Sequence, residues 1–237
     1  VIQDSGLNPA SLLMTGSTLQ IEGGLNLGTL AVAGTSNINI DTQGTVSTGN
    51  TLNVTNLTLS GGNTRTIRGN SGVNSPAGIL SIGSGDVLDL SGTGTVVLNA
   101  LAVNNAGTIT HNLGSSNLQL NNGTVVNIAS TGTYDFLTDV GITSSGGATI
   151  NNGGSMVKTA GASNTIAITT NHSNNAGIDL LSGNLIFTSG GSFAGTVTIN
   201  DVGGNLGLNG GTFTVFDLAV IQDSGLNPAS LLMTGST

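Results

Sequence analysis

The chain of 237 residues has no cysteine and no tryptophan, and only Arg65, Arg68 and Lys158 carry a fixed positive charge. The absent cysteines exclude a small disulfide framework; a large solenoid needs none, so the count is compatible with secretion. Three cations in a chain of net charge −8 cannot neutralise a run of phosphates, which makes nucleic acid a poor partner. One Tyr and five Phe leave too few large rings for the cores of two immunoglobulin-like sandwiches, the main rival fold. Charged residues make up 6% of the chain, against about 25% in ordinary soluble domains, so solubility must rest on Asn, Thr, Ser and exposed backbone. The longest nearly apolar stretch, Val96 to Val103, is broken by Asn99 and falls far short of the roughly 20 residues a membrane helix requires.

What fills the chain instead is 39 Gly, 29 Asn and evenly spread aliphatic residues. Short runs alternate apolar and polar positions: Leu19-Gln20-Ile21, Leu52-Asn53-Val54, Leu118-Gln119-Leu120, Val197-Thr198-Ile199. A period of two marks strands with one buried face. The Gly-Gly, Asn-Gly and Ser-Gly pairs between them supply bends and oppose long helices.

Residues 220–237 repeat residues 1–18, VIQDSGLNPASLLMTGST, without a substitution, so that Val220 takes the place of Val1. Internal repetition of this kind signals a modular array. Residues 1–219 are therefore expected to be one full tandem repeat and 220–237 the first coil of the next. The start at Val1, with no initiator Met or signal core, is expected of a segment from the interior of a longer polypeptide.

Within the repeat, Asn184-Leu185-Ile186-Phe187 leads into Gly190-Gly191, and the pattern returns where Asn205-Leu206-Gly207-Leu208 leads into Gly210-Gly211. Related tetrads begin at Asn56 and Asn117. The spacing predicts an all-β parallel β-helix, a β-solenoid, with about 21 residues per coil and roughly ten coils per repeat. Ser5 to Met14 departs from the pattern: Asn8 in an N-cap position and Pro9 after it predict a helical turn or a bulging loop. The stretch from Gly69 to Gly78 reads as a loop.

From Ala148 to Phe213 the text resembles repeats of large secreted bacterial surface proteins, the autotransporter passengers and filamentous-haemagglutinin-like adhesins. The resembling segments are Asn151-Asn152-Gly153-Gly154 before Val157-Lys158-Thr159, Asn174-Asn175-Ala176-Gly177, and Ser182-Gly183-Asn184-Leu185. They cover under a third of the chain clearly. The resemblance implies a right-handed parallel β-helix, export from the cell and a role in adhesion, matrix or filament formation, with no particular ligand.

A polysaccharide-cleaving site on such a fold resembles Asp residues clustered with Arg or Lys. Asp86 with Asp89, and Asp135 with Asp139, are the candidate pairs, and neither is expected to have a basic partner nearby. Strand positions 86 and 89 would point to opposite faces. His111 and His172 stand far apart in the chain without Cys or further His, which gives no metal-ligand spacing and reads as surface histidines. Gly83 to Asp89 resembles a fragment of a calcium nonapeptide in one imperfect copy, where stacked copies are needed; calcium held elsewhere by turn carbonyls and an Asp stays open as an alternative, with no located site. The Asn residues have a structural explanation as amide ladders along the solenoid.

The expected function is thus a structural repeat of an extracellular bacterial filament, sheath or fibre without catalysis or cofactor; the alternative is an adhesin stalk or binding module. The expected partners are copies of itself, with no nucleic acid and no membrane insertion. The residues expected to form inter-repeat contacts are Leu7, Leu12, Leu13, Met14, Leu218, Val220 and Ile221.

Overall fold

The computed structural model describes residues 11–21, 24–40, 51–69, 78–199, 204–222 and 230–235. These residues form 25 strands and no helix. Every strand pairing among them is parallel, and each strand pairs with one about 23 residues along the chain, the length of one solenoid coil. The chain is a β-solenoid with three faces.

One coil illustrates the course. Gly78–Ile82 lies on the first face, Val87–Gly92 on the second and Val96–Asn99 on the third. The next coil repeats them as Leu101–Asn105, Thr108–Leu113 and Leu118–Asn121. In four coils a single long strand, such as Gly191–Ile199, bends from the first face onto the second, which joins those two faces into one 15-stranded sheet. The third face is a 10-stranded sheet.

Alternation along each strand sends every second side chain inward, and in-register stacking turns these into columns. On the second face one column runs Leu30, Leu57, Leu88, Ile109, Tyr134, Met156, Ile178, Val197. All are at most 2% exposed. On the third face Ile38, Ile67, Leu98 and Leu120 stack likewise. Each fully buried aliphatic side chain contributes roughly 1.5–3 kcal/mol, so stability is distributed along the axis.

The fold departs from the sequence pattern in two respects. The coil is longer than the sequence spacing predicts, because its length follows the corners: the step is short where Ser11 pairs with Thr29 and long where Asn56 pairs with Val87. A period ending at Ala219 then holds fewer than ten coils. Residues 11–14 form no helical turn: Ser11–Thr15 is a strand paired with Thr29–Ala33. That pairing satisfies its backbone while Leu12 and Met14 stack inward on Leu30 and Val32. Asn8 and Pro9, and residues 70–77 of the expected loop, lie outside the described residues.

The corners explain much of the glycine. A Cβ on Gly154 would overlap the carbonyl oxygens of Ala129 and Gly132, both one coil below. Only a hydrogen fits where the two coils turn on top of one another.

Candidate functional surfaces

The residues that suggested chemistry serve the scaffold. His111 and His172 are buried, not on the surface as expected. His111 occupies an interior column between Leu90 and Phe136, and its Nδ1 lies 3.0 Å from the Tyr134 hydroxyl. Its ring stacks on Phe136 at a centroid distance of 5.4 Å. His172 packs on Phe193 at 4.6 Å, with its Nδ1 2.9 Å from Asn152 Nδ2. Burial pushes both imidazoles down to about 3, with the Lys158 charge adding to the effect at His111. Both therefore stay neutral across ordinary pH, and burial also raises the Tyr134 phenol.

Two of the three cations are interior as well. Arg65 is 1% exposed; its guanidinium donates to the carbonyl oxygens of Gly61, Asn63, Ser91 (2.9 Å) and Gly94 (3.3 Å). It thus closes a corner across two coils. Lys158 sits in the His111 column between Phe136 and Leu180 and donates to the carbonyls of Thr138 and Ala160. Its ammonium also lies 3.5 Å from Asp139 Oδ1. The expectation that neither acidic pair has a basic partner therefore fails for Asp139, because the chain between Asp139 and Lys158 amounts to nearly one coil and stacks the two groups. Burial lowers the pKa of both cations, opposed at Lys158 by Asp139.

The acids of the two candidate pairs cap turns and bridge coils. Asp86 Oδ2 accepts from the Gly83 amide at 2.9 Å, and Asp89 accepts from the hydroxyls of Ser91 and Thr110. Asp135 accepts from Thr159 Oγ1 at 2.6 Å. Asp139 accepts from the Ser163 amide, which with Lys158 holds its pKa below the usual carboxylate value. Among the described residues no group of three His, Cys, Asp or Glu side chains is placed to hold a metal ion.

Two surfaces remain. The first is a groove of about 700 Å³ along the corner between the first and second faces. Its floor is a ladder in register: Ser81, Asn104, Asn127, Asn151, Asn171 and Ser192. Asn127, Asn151 and Asn171 each donate Nδ2 to the Oδ1 of the preceding Asn at 3.0–3.1 Å, and Ser192 Oγ donates to Asn171 at 3.2 Å. Phe216 lies at its C-terminal end. The ladder amides are taken up largely by one another, no charged side chain lines the groove and its exposed surface is mostly apolar, so it suits an uncharged ligand. Amide ladders are legible in the asparagine content, but that one of them floors a groove is not, since which Asn residues share a column depends on the corner lengths.

The second surface is the pair of solenoid ends, where the expected contact residues fall. Leu12 and Met14 point inward at the N-terminal end, while Leu13 points outward and is 73% exposed. At the other end, Leu218 and Val220 continue the interior columns above Gly195 and Val197, and Ile221 stands outward beside Thr198. Val220 and Ile221 are 37% and 54% exposed. The structure thus divides these residues between opposite ends and does not bring them together; Leu7 lies outside the described residues. Comparison with protein-family models, with characterised proteins and with solved structures finds no match for this chain.

Proposed function

We propose that the chain is a structural repeat of an extracellular bacterial fibre, filament or sheath, its partners further copies of the same repeat. The observation that carries this reading is the identity of residues 1–18 and 220–237 in a chain whose fold is a solenoid. A solenoid can extend through any number of copies without changing its cross-section. In support, each buried charge and imidazole has a packing or hydrogen-bonding role, so catalysis is no part of the proposal, and neither is a cofactor.

Electron cryo-microscopy of native surface filaments tests it. The expected result is a layer line near 4.8 Å together with an axial rise of about 45 Å per repeat, at about 23 residues per coil. Separate globular beads would overturn it.

A second reading, a binding module within an adhesin stalk, is favoured by the asparagine-floored groove. Calorimetric titration of the chain with neutral oligosaccharides tests that reading, and absence of binding would remove it.

A further inference from the structure

The two copies of Ser-Leu-Leu-Met-Thr are seen in different places. Ser11–Thr15 lies on the second face and pairs, toward the C-terminal side, with Thr29–Ala33. Ser230–Thr234 lies on the third face and pairs, toward the N-terminal side, with Asn205–Asn209. Among the described residues each copy therefore shows one edge of the same strand paired, and between them both edges have a partner within this sequence.

The two placements agree in detail. Leu12 and Met14 point inward, aligned with Leu30 and Val32; their equivalents Leu231 and Met233 align with the buried Leu206 and Leu208. The turn glycine that follows has φ of 62° at Gly16 and 60° at Gly235. The bonds at this turn are complementary: Gly16 N donates to Ala33 O of the coil above, and Thr234 O, just before Gly235, accepts from Gly210 N of the coil below. Leu231 and Met233 are 37% and 52% exposed on the edge that Thr29–Ala33 covers in the first copy.

Counting faces gives the advance per repeat. On the second face nine steps lead from Ser11 through Thr29, Asn56, Val87, Thr108, Thr133, Ser155, Gly177 and Thr196 to Ala219. The chain then turns one corner to Ser230–Thr234 on the third face. We infer that one period of the repeat advances the solenoid by nine and a third turns, and that Ser11–Thr15 is the splice strand between copies, held by Asn205–Asn209 of the preceding copy on one edge and by Thr29–Ala33 of its own on the other.

This deepens, and rests on, the reading of the chain as a repeating fibre. Consecutive copies are then rotated by a third of a turn. The asparagine-floored groove appears on each of the three sides in succession and returns to the same side every third copy, after about 130 Å at roughly 4.8 Å of rise per coil. The occupant of the outer edge of Ser230–Thr234 is the next copy's Thr29–Ala33, entering in the register that Thr29–Ala33 holds against Ser11–Thr15.

Cysteine cross-linking in the full chain tests the register, since the chain has no cysteine of its own. Outward residues paired on adjacent parallel strands have Cα atoms about 5 Å apart, within reach of a disulfide. Ser11→Cys with Thr29→Cys, and Asn205→Cys with Ser230→Cys, are expected to form intramolecular disulfides. Ser230→Cys with Thr196→Cys, the pairing required if the period were nine whole turns, is expected not to. A disulfide in that third variant, or none in either variant at the C-terminal end, overturns the inference. Asn209→Cys with Thr234→Cys reads the same register without touching Ser230 or Asn205. Filament images separate the two proposals: beads with the expected cross-links remove the fibre and leave the register, whereas layer lines with the Thr196 cross-link keep the fibre and remove the third of a turn.

Discussion

Lys158 and Asp139 form an ion pair of unequal partners: the ammonium lies 3.5 Å from the carboxylate, with the lysine side chain fully buried and the aspartate side chain 55% exposed. The lysine also carries two corner carbonyls, those of Thr138 and Ala160. Removing it leaves those acceptors unsatisfied and opens a cavity. Lys158→Ala is expected to cost about 3 kcal/mol, and Asp139→Asn only about 1 kcal/mol, because water screens the exposed carboxylate. Urea denaturation of both variants checks the order, and equal losses would show that the pair, not the carbonyls, dominates.

Acid should destabilise the fold through its interior histidines. Each has a folded value of about 3, below the unfolded value of about 6.5. The unfolded chain therefore binds protons first, and stability is full above pH 6.5 and falls as the pH drops toward 3. Asp139, also held low, adds to the loss in the carboxylate range. The expected outcome is a urea midpoint that drops steadily between pH 7 and 4, with a shallower fall in His172→Leu. A flat profile over that range would contradict the burial of the imidazoles.

The asparagine ladder can be tested at its middle. Asn151 donates to Asn127 and accepts from Asn171, so Asn151→Ala breaks two bonds on a partly solvated face. The expected loss is about 1–2 kcal/mol, read as a shift in urea midpoint without a change in slope. Asn127→Ala and Asn151→Ala combined should cost less than the sum of the two, since one bond is shared.

Glycines divide by their surroundings. Gly154→Ala places a methyl against two backbone carbonyls that cannot yield separately, and should cost more than about 2 kcal/mol. Gly177→Ala meets only the Ser155 hydroxyl at 3.9 Å, with φ in the ordinary range, and should be neutral or slightly stabilising. Thermal melting of the two variants is sufficient to distinguish them.

The alternation of Val197-Thr198-Ile199 or Leu118-Gln119-Leu120 makes the strands legible in the sequence, and with the glycine-rich bends it makes the solenoid legible. Coil length is harder. The recurrence of Asn184 at Asn205 is real and matches the pairing of Leu185 with Leu206, but it samples a tight part of the rod. The tetrad at Asn56 belongs to the second face and the one at Asn117 leads into the third, so their spacing measures no whole number of coils. Nor could the sequence place Arg65, Lys158, His111 and His172 inside. Such residues usually lie at surfaces, and only the stacking of corner carbonyls and aromatic rings from neighbouring coils creates interior sites that suit them. Leu12 and Leu218 stand near the two ends of the repeat as text, but which face each occupies depends on the summed lengths of all the corners between them, and no local pattern contains that sum.

Among the described residues six amide-to-amide bonds run in one sense, from the later coil to the earlier: Asn39 to Gln20, Asn122 to Asn99, Asn127 to Asn104, Asn151 to Asn127, Asn171 to Asn151 and Asn205 to Asn184, whereas Asn105 and Asn152 donate to carbonyls of the following coil. Aligned amides polarise one another. A rod built from such coils carries an arrow along its length: its two tips differ electrically even though the side chains of the ladder bear no charge. Two rods lying side by side would then sense whether they run together or in opposition.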